Sequence, residues 1–281
     1  MAKGNQQFNW IFVLIAGSIF LIFFITVAVK YKSLQEEKTS IELLNNLDIA
    51  ITSLQSSPFQ TTSELTFPLE TAFSCNKKIT ITIGNKQYQT ENIISAGKIK
   101  GSAIIMSKNI NLPFKISTVY YILPESANYV FVYDKDSEEL ISTIKQDLSL
   151  LKNINYEKYP VEENKNYQYI YFLPIKNKIS VSKTSISYPD KESLPYYGSP
   201  QLYSFIFSQQ PDCISSLLNE KLESKTQLYK NKLSLLQSDK CDYTLINSKL
   251  QELPGNPSIE NQQSIIEINK QLINQNCPAV F

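Results

Sequence analysis

The chain has 281 residues, and its 27 basic and 26 acidic residues give a formal net charge of +1. A near-neutral chain without a basic stripe is not typical of nucleic-acid-binding proteins. We therefore expect no nucleic-acid partner.

The residue types that are missing exclude several classes of enzyme. The chain has no His, and every basic residue is Lys. The usual proton shuttle near neutral pH, the Ser/His and Cys/His nucleophile pairs and the commonest transition-metal ligand are therefore absent. None of the seven glycines forms a GxGxxG or Walker A loop. We predict that the protein is not an enzyme and has no cofactor and no metal site.

Residues 10–29, WIFVLIAGSIFLIFFITVAV, contain no charged residue. A helix of this length, at about 1.5 Å per residue, crosses the hydrocarbon layer of about 30 Å. A cleaved signal would have a shorter apolar core and a small-residue cut site, whereas this run ends at Lys30 and Lys32. We predict a short tail over 1–9 and one transmembrane helix over 10–29. The helix is retained as a signal anchor, with the lipid bilayer as its partner.

Two features give opposite predictions for the orientation of this helix. Lys3 precedes it, whereas Lys30, Lys32 and Lys38 follow it, and this bias places the C-terminus inside. However, a long folded domain is translocated largely regardless of flanking charge, and all four cysteines follow the span. We expect the large domain outside the cytoplasm.

The helix is predicted to continue beyond the membrane as a stalk over 30–57. Residues 31–55 contain no Pro or Gly, and apolar residues recur there at helical spacing. Pro58 disfavours helix at Ser57 and ends the segment. We expect the apolar stripe to pack on the head domain; pairing with a neighbouring copy is the alternative.

The next segment, 58–210, is predicted to form an α+β head. Short alternating or β-branched runs over 59–117, with Gly84-Asn85 as a two-residue hairpin turn, predict an antiparallel β subdomain. Residues 128–134 form an apolar strand followed by a helical pattern, and 167–173 form a second strand. This order is typical of a small parallel strand-helix-strand unit.

Three further segments complete the predicted fold. Residues 179–188 favour another strand, and the Pro- and Tyr-rich residues 189–203 favour an ordered surface loop. A three-helix cap is predicted over 211–281, with its helices over 213–237, 243–253 and 258–276. The adjacent tyrosines at 120–121 and 196–197 favour packing over contact patches.

The four cysteines allow three pairings. If the cap helices run up, down and up, Cys241 opens the second helix and Cys277 closes the third, so both lie at the same end. The first helix carries Cys213 about 36 Å away at about 1.5 Å per residue. We predict Cys241 with Cys277 and, by elimination, Cys75 with Cys213. Free buried thiols and a four-Cys zinc site, which would lack any CxxC, are the alternatives.

Asp134-Lys135-Asp136 directly follows an apolar strand, and this arrangement resembles haloacid-dehalogenase-type phosphotransferases. That resemblance implies a nucleophilic Asp and an acid/base Asp around Mg²⁺. It also requires a later hydroxyl, a Lys and an acidic pair. Only Asp190 or Glu162-Glu163 could serve as the acidic pair. We favour the alternative that Asp136-Ser137-Glu138-Glu139 is a capping box that begins the next helix.

Two longer resemblances concern the whole chain and its start. KGNQQFNWIFVLIAG, LLNNLD at 43–48, YGSPQLYSFIF before Cys213 and the terminal NCP are similar to a group of uncharacterised, N-terminally membrane-anchored envelope proteins of small-genome archaea. That resemblance implies no activity. Lys3-Gly4 ahead of an apolar helix resembles archaeal type IV prepilins, which are cut after the Gly, although no Glu follows in the early helix.

We therefore expect a single-pass, membrane-anchored extracytoplasmic protein of structural or protein-interaction type. Its stalk or head is expected to contact a protein partner or another copy of the chain. One alternative is a pilin-like filament subunit processed after Gly4. The other is an enzyme of unknown type.

Overall fold

The computed structural model describes residues 4–56, 61–189, 191–236 and 240–281, with side chains described from Trp10 onward. The chain divides into two compact units, Met1–Asn46 and Leu47–Phe281. The fold is α+β, with a long N-terminal apolar helix, two mixed sheets and C-terminal helices.

The N-terminal helix α1 runs without a break over Gly4–Ser56. This length confirms that the apolar run and the stalk form one helix. Ser57 and Pro58, which were predicted to end it, lie outside the described residues. Four residues on one side of the last turns are buried in the second unit, as the stalk stripe predicted: Leu47, Ala50, Ile51 and Leu54.

The first sheet has six strands in the order β3-β2-β1-β5-β6-β4. Their bounds are β1 Thr62–Asn76, β2 Lys78–Ile83, β3 Lys86–Thr90, β4 Ile93–Ser95, β5 Lys98–Asn111 and β6 Lys115–Pro124. Four neighbouring pairs are antiparallel, as predicted, but β4 pairs parallel with β6. The sheet is therefore mixed and not purely antiparallel, since the short strand β4 returns beside β6 along the same direction.

Two local features shape this sheet. The register between β1 and β5 shifts between Phe67 and Thr71, around Pro68, which cannot donate a ladder hydrogen bond. Strand β1 is therefore one long, bulged strand of 15 residues, where short strands were expected within 59–117. Gly84, with φ of 57°, begins the turn between β2 and β3, as its position predicted.

The second sheet has the order β12-β11-β10-β9-β7-β8. Its elements are β7 Tyr129–Tyr133, helix α2 Glu138–Asp147, β8 Ile154–Lys158, β9 Gln168–Tyr171, β10 Ser180–Val181, β11 Ser185–Ser187 and β12 Leu194–Pro195. Strand β7 pairs parallel with β8 on one side and with β9 on the other. The predicted strand-helix-strand unit is present, and β8 is an additional strand within it.

Two predictions for this region are wrong. Residues 179–188 form the hairpin β10–β11 and not one strand, because Ser182 makes a turn in which its hydroxyl accepts from the Ser185 amide at 3.0 Å. Residues 189–203 are not only a loop, since β12 and the start of a helix lie within them. Gly198, with φ of 140°, precedes that helix, and Pro200 lies in its first turn.

Four helices complete the chain: α3 Ser199–Ile206, α4 Pro211–Leu236, α5 Thr244–Glu252 and α6 Ile259–Asn274. The last three form the predicted cap. Helix α3 is buried against both β5 and β6 of the first sheet, where the Tyr203 ring lies 6.3 Å from that of Tyr121. Tyr120, Tyr121 and Tyr196 are all core residues, as predicted.

Candidate functional site

The apolar part of α1 exposes its side chains. Those of Trp10, Phe20 and Phe24 are 73%, 65% and 65% exposed. Over the described residues, one helix is long and apolar enough to cross a membrane. No residue in its most apolar stretch is buried. Of the two residues that form the possible processing site, Gly4 is the first residue of α1, and Lys3 lies outside the described residues.

Two disulfides lie in the second unit, and they join the same cysteines that helix geometry had favoured. Cys75 at the end of β1 is bonded to Cys213 in the first turn of α4, with Cα atoms 5.9 Å apart. Cys241 before α5 is bonded to Cys277 after α6, at 5.8 Å. The first bond ties the first sheet to the cap, and the second closes the cap itself.

An open cavity of about 490 Å³ lies where the parallel strands of the second sheet end. Residues that follow three strands line it: Asp134, Asp136 and Ser137 after β7, Phe172, Leu173 and Pro174 after β9, and Ser182 and Lys183 after β10. Helix α2 forms a further wall with Glu139, Leu140 and Thr143. We refer to this cavity as the strand-end cleft.

Asp134 is held in place by Ser137. Its Oδ1 atom accepts from the Ser137 hydroxyl at 2.7 Å and from the Ser137 amide at 3.0 Å, and its own amide donates to that hydroxyl. The hydroxyl hydrogen bond lowers the pKa of Asp134 below its ordinary value. The predicted capping box, which would make Asp136 the N-cap and Glu139 its partner, is wrong: Ser137 is the N-cap residue of α2. Its side chain binds Asp134 and makes no capping bond.

The cleft brings the Ser182 hydroxyl and Lys183 together with Asp134, but neither residue of the candidate acidic pair Glu162-Glu163 lines it. Glu163 instead accepts from the Tyr171 hydroxyl and from Lys178 at 2.6 Å. Asp190 lies outside the described residues. Within the described ranges, no group of three or more acidic, His or Cys residues is arranged to hold a metal ion.

Sequence reasoning found one side of the strand-end cleft and missed the other. The residues that follow β7 attracted attention because acidic side chains come directly after an apolar strand. Phe172, Leu173 and Lys183 carried no comparable signal, because their position beside Asp134 depends on β9 and β10 lying next to β7. The polar linker between β8 and β9 gave no indication of that strand order.

No protein-family model, curated protein or solved structure matches this chain. The conclusions therefore rest on the chain itself. An N-terminal helix that is apolar enough to be an anchor or a signal, together with two disulfides, suggests a secreted or extracytoplasmic protein.

Proposed function

We propose that the protein is anchored in a membrane by a single retained helix and displays its disulfide-bonded unit outside the cytoplasm for structural or protein contacts. Its resemblance to anchored archaeal envelope proteins is part of this proposal, and so is the absence of catalysis. The observation that carries it is the continuous apolar surface over residues 10–29, which is exposed and needs a non-aqueous environment.

The polar groups within this segment fit a lipid environment. The Ser18 hydroxyl donates to the Leu14 carbonyl at 2.7 Å, and the Thr26 hydroxyl donates to the Ile22 carbonyl at 2.8 Å. Both hydroxyls are therefore satisfied within the helix, as a span in hydrocarbon requires. The fourteen Leu, Ile, Phe and Val residues of the segment favour insertion by roughly 4 to 8 kcal/mol in total.

Aromatic residues lie at both ends of the segment. Trp10 and Tyr31 are separated by about 31 Å along a helix that rises about 1.5 Å per residue. Such residues are enriched at the two interfaces of a bilayer, and this separation is close to the hydrocarbon thickness of about 30 Å. The disulfides support an exterior location because cytosolic thiols are kept reduced.

Two measurements on the full chain in a bacterial expression host test the proposal. We expect the protein to stay in the membrane pellet after carbonate extraction. We also expect trypsin added to intact spheroplasts to digest the second unit, with a cytoplasmic marker protein protected as the control. Release by carbonate would contradict the anchor, and protection from trypsin without lysis would contradict the orientation.

The pilin-like alternative predicts a different N-terminus in the native host. Terminal peptide mapping of the mature protein should begin at Met1 or Ala2 if the helix is an unprocessed anchor. A terminus at Asn5 would instead support cleavage after Gly4 and a filament subunit.

A further inference from the structure

The strand-end cleft occupies a position that the topology of the second sheet creates. From β7 the chain passes through α2 to β8 on one side, whereas from β9 it continues to β10 on the other. The carboxyl ends of β7 and β9 therefore border a point at which the chain directions diverge. Ligands of open α/β sheets bind in the crevice at such a switch point. The cleft volume of about 490 Å³ is also within the range of small-molecule sites.

The lining of the cleft selects the kind of ligand. Three acidic residues, Asp134, Asp136 and Glu139, and one basic residue, Lys183, line the cleft, so the net charge of its lining is one minus three, or minus two. Leu140 and Pro174 supply apolar surface beside them, whereas Phe172 and Leu173, only 2% and 9% exposed, contribute little of it. This combination complements a positive charge carried on an apolar group.

An anion is disfavoured at the same place, although the start of α2 lies there. Helix N-termini bind phosphate through their free amides. In this chain the Ser137 amide already donates to the Asp134 carboxylate, and Glu138 and Glu139 add negative charge to the first turn. The negative charge that the chain itself places at this helix end therefore disfavours an anion.

We infer that the strand-end cleft is a binding site for an organic cation, namely a primary ammonium group attached to an apolar body. The source of that group is either a free amine or a lysine side chain of a partner protein. The site requires only the second sheet and does not depend on the membrane anchor, so the two proposals stand or fall separately.

Isothermal titration calorimetry of the full chain in lipid nanodiscs tests this inference, with empty nanodiscs as the blank. The probes are 2-phenylethylamine, its neutral analogue 2-phenylethanol and its anionic analogue 3-phenylpropionate. We expect the amine to bind most tightly, and added salt to weaken its binding. The inference would be overturned if all three probes bound equally or if the anion bound more tightly than the amine. It would also be overturned if neither these probes nor the lysine peptide described below bound at all.

Variants assign the binding to this cleft. The double variant Asp136→Asn/Glu139→Gln should weaken binding of the amine about fivefold or more, because two exposed charge interactions are lost. The matched double variant Glu260→Gln/Glu267→Gln removes two charges from exposed positions on α6 and should leave binding unchanged. Lys183→Gln should leave amine binding unchanged or make it tighter.

A steric variant and a peptide pair complete the test. Thr143 is exposed on α2 and lines the cleft, so Thr143→Phe should block binding of the amine without disturbing the fold. The peptides are acetyl-Leu-Lys-Leu-amide and its neutral control acetyl-Leu-Gln-Leu-amide. A protein side chain is the source if the Lys peptide binds more tightly than the Gln peptide and at least tenfold more tightly than the free amine. Preference for the free amine would identify a small molecule. Unchanged amine binding by Thr143→Phe would place the site elsewhere and overturn the assignment.

Discussion

Lys108 and Asp147 form a largely buried ion pair, with Nζ and Oδ1 2.9 Å apart and side chains 14% and 26% exposed. Lys108 belongs to β5 of the first sheet, and Asp147 is the last residue of α2 beside the second sheet. The hydroxyls of Ser199 and Tyr203 in α3 each donate to Asp147 Oδ2 at 2.8 Å. One carboxylate therefore joins β5, α2 and α3.

Replacing this carboxylate should destabilise the second unit. Asp147→Asn leaves the buried ammonium of Lys108 without its counter-charge, and we expect a loss of about 2 to 4 kcal/mol in the free energy of unfolding. Urea unfolding of the full chain in detergent, followed by far-UV circular dichroism, measures the change. The exposed pair Lys249–Glu252 is the control, and Glu252→Gln should cost less than about 1 kcal/mol. Similar losses for both variants would contradict this role.

The same interaction predicts a dependence of stability on pH. Burial by itself would raise the pKa of Asp147, but hydrogen bonds from Lys108, Ser199 and Tyr203 outweigh it, so the pKa lies below the ordinary 3.8. The stabilisation by the ionised Asp147 carboxylate is therefore complete above the ordinary pKa of 3.8. It is lost as the pH falls through the lower pKa of the folded state. The difference in unfolding free energy between wild type and Asp147→Asn should shrink as the pH falls below the ordinary pKa of 3.8. A difference that stays constant from neutral to acid pH would contradict the sign.

Elements whose signal is local could be predicted from the sequence. The apolar run and the stalk gave α1, the Gly84-Asn85 turn gave the β2–β3 hairpin, and periodic leucines gave the cap helices within about two residues at most of their ends. In these cases, the hydrophobic period or a turn residue suffices, because neighbours in sequence determine the structure.

Elements that depend on distant partners could not be predicted. Strand β4 has three residues and β8 has alternating polar residues, and each exists because a distant strand pairs with it. Helix α3 has eight residues, of which six are buried, including the polar Gln201 and Ser204, so its sequence lacks the polar stripe that marks a helical period. The far wall of the strand-end cleft was missed for the same reason, since it follows from strand order.

The two disulfides should differ in their resistance to reduction. Cys75 and Cys213 are half-buried, whereas Cys241 and Cys277 are only 9% and 5% exposed. A thiolate must reach a sulfur atom, so the Cys75–Cys213 bond should be reduced first under native conditions. Limited dithiothreitol treatment, alkylation and peptide mass spectrometry measure the order. In denaturant the preference should disappear; a preference that persists there, or reduction of the cap disulfide first, would refute this explanation.

Gly84 is predicted to be required for its backbone and not for space. Its φ is positive, and a Cβ atom there would meet nothing within 4 Å. Gly84→Ala should therefore cost about 1 kcal/mol, while Gly84→Asn should cost less because Asn tolerates this conformation. Gly255→Ala is the control, because its φ is not positive and its Cβ contact of 3.8 Å is ordinary. Chemical unfolding of the three variants measures the costs; an equal loss for Gly84→Ala and Gly255→Ala would contradict the backbone argument.

Charges placed within the apolar segment should release the protein from the membrane. The double variant Phe20→Lys/Phe24→Lys puts two ammonium groups near the middle of residues 10–29, at a cost of roughly 2.5 to 3.5 kcal/mol each. Together with the two lost phenyl groups, this cost offsets most or all of the roughly 4 to 8 kcal/mol that favours insertion. We expect the variant in the carbonate-soluble fraction or degraded, and wild type in the pellet.

A matched variant on the same helix separates this effect from a general effect of charge. Leu34 and Ile41 are 65% and 49% exposed and lie beyond the apolar segment. Leu34→Lys/Ile41→Lys adds the same two charges where the helix is predicted to be in water, so this variant should remain in the pellet. Because the two variants have equal net charge, a difference in extraction between them locates the bilayer along α1. If both variants stayed in the pellet, or if both were released, residues 10–29 would not be what holds the protein in the membrane.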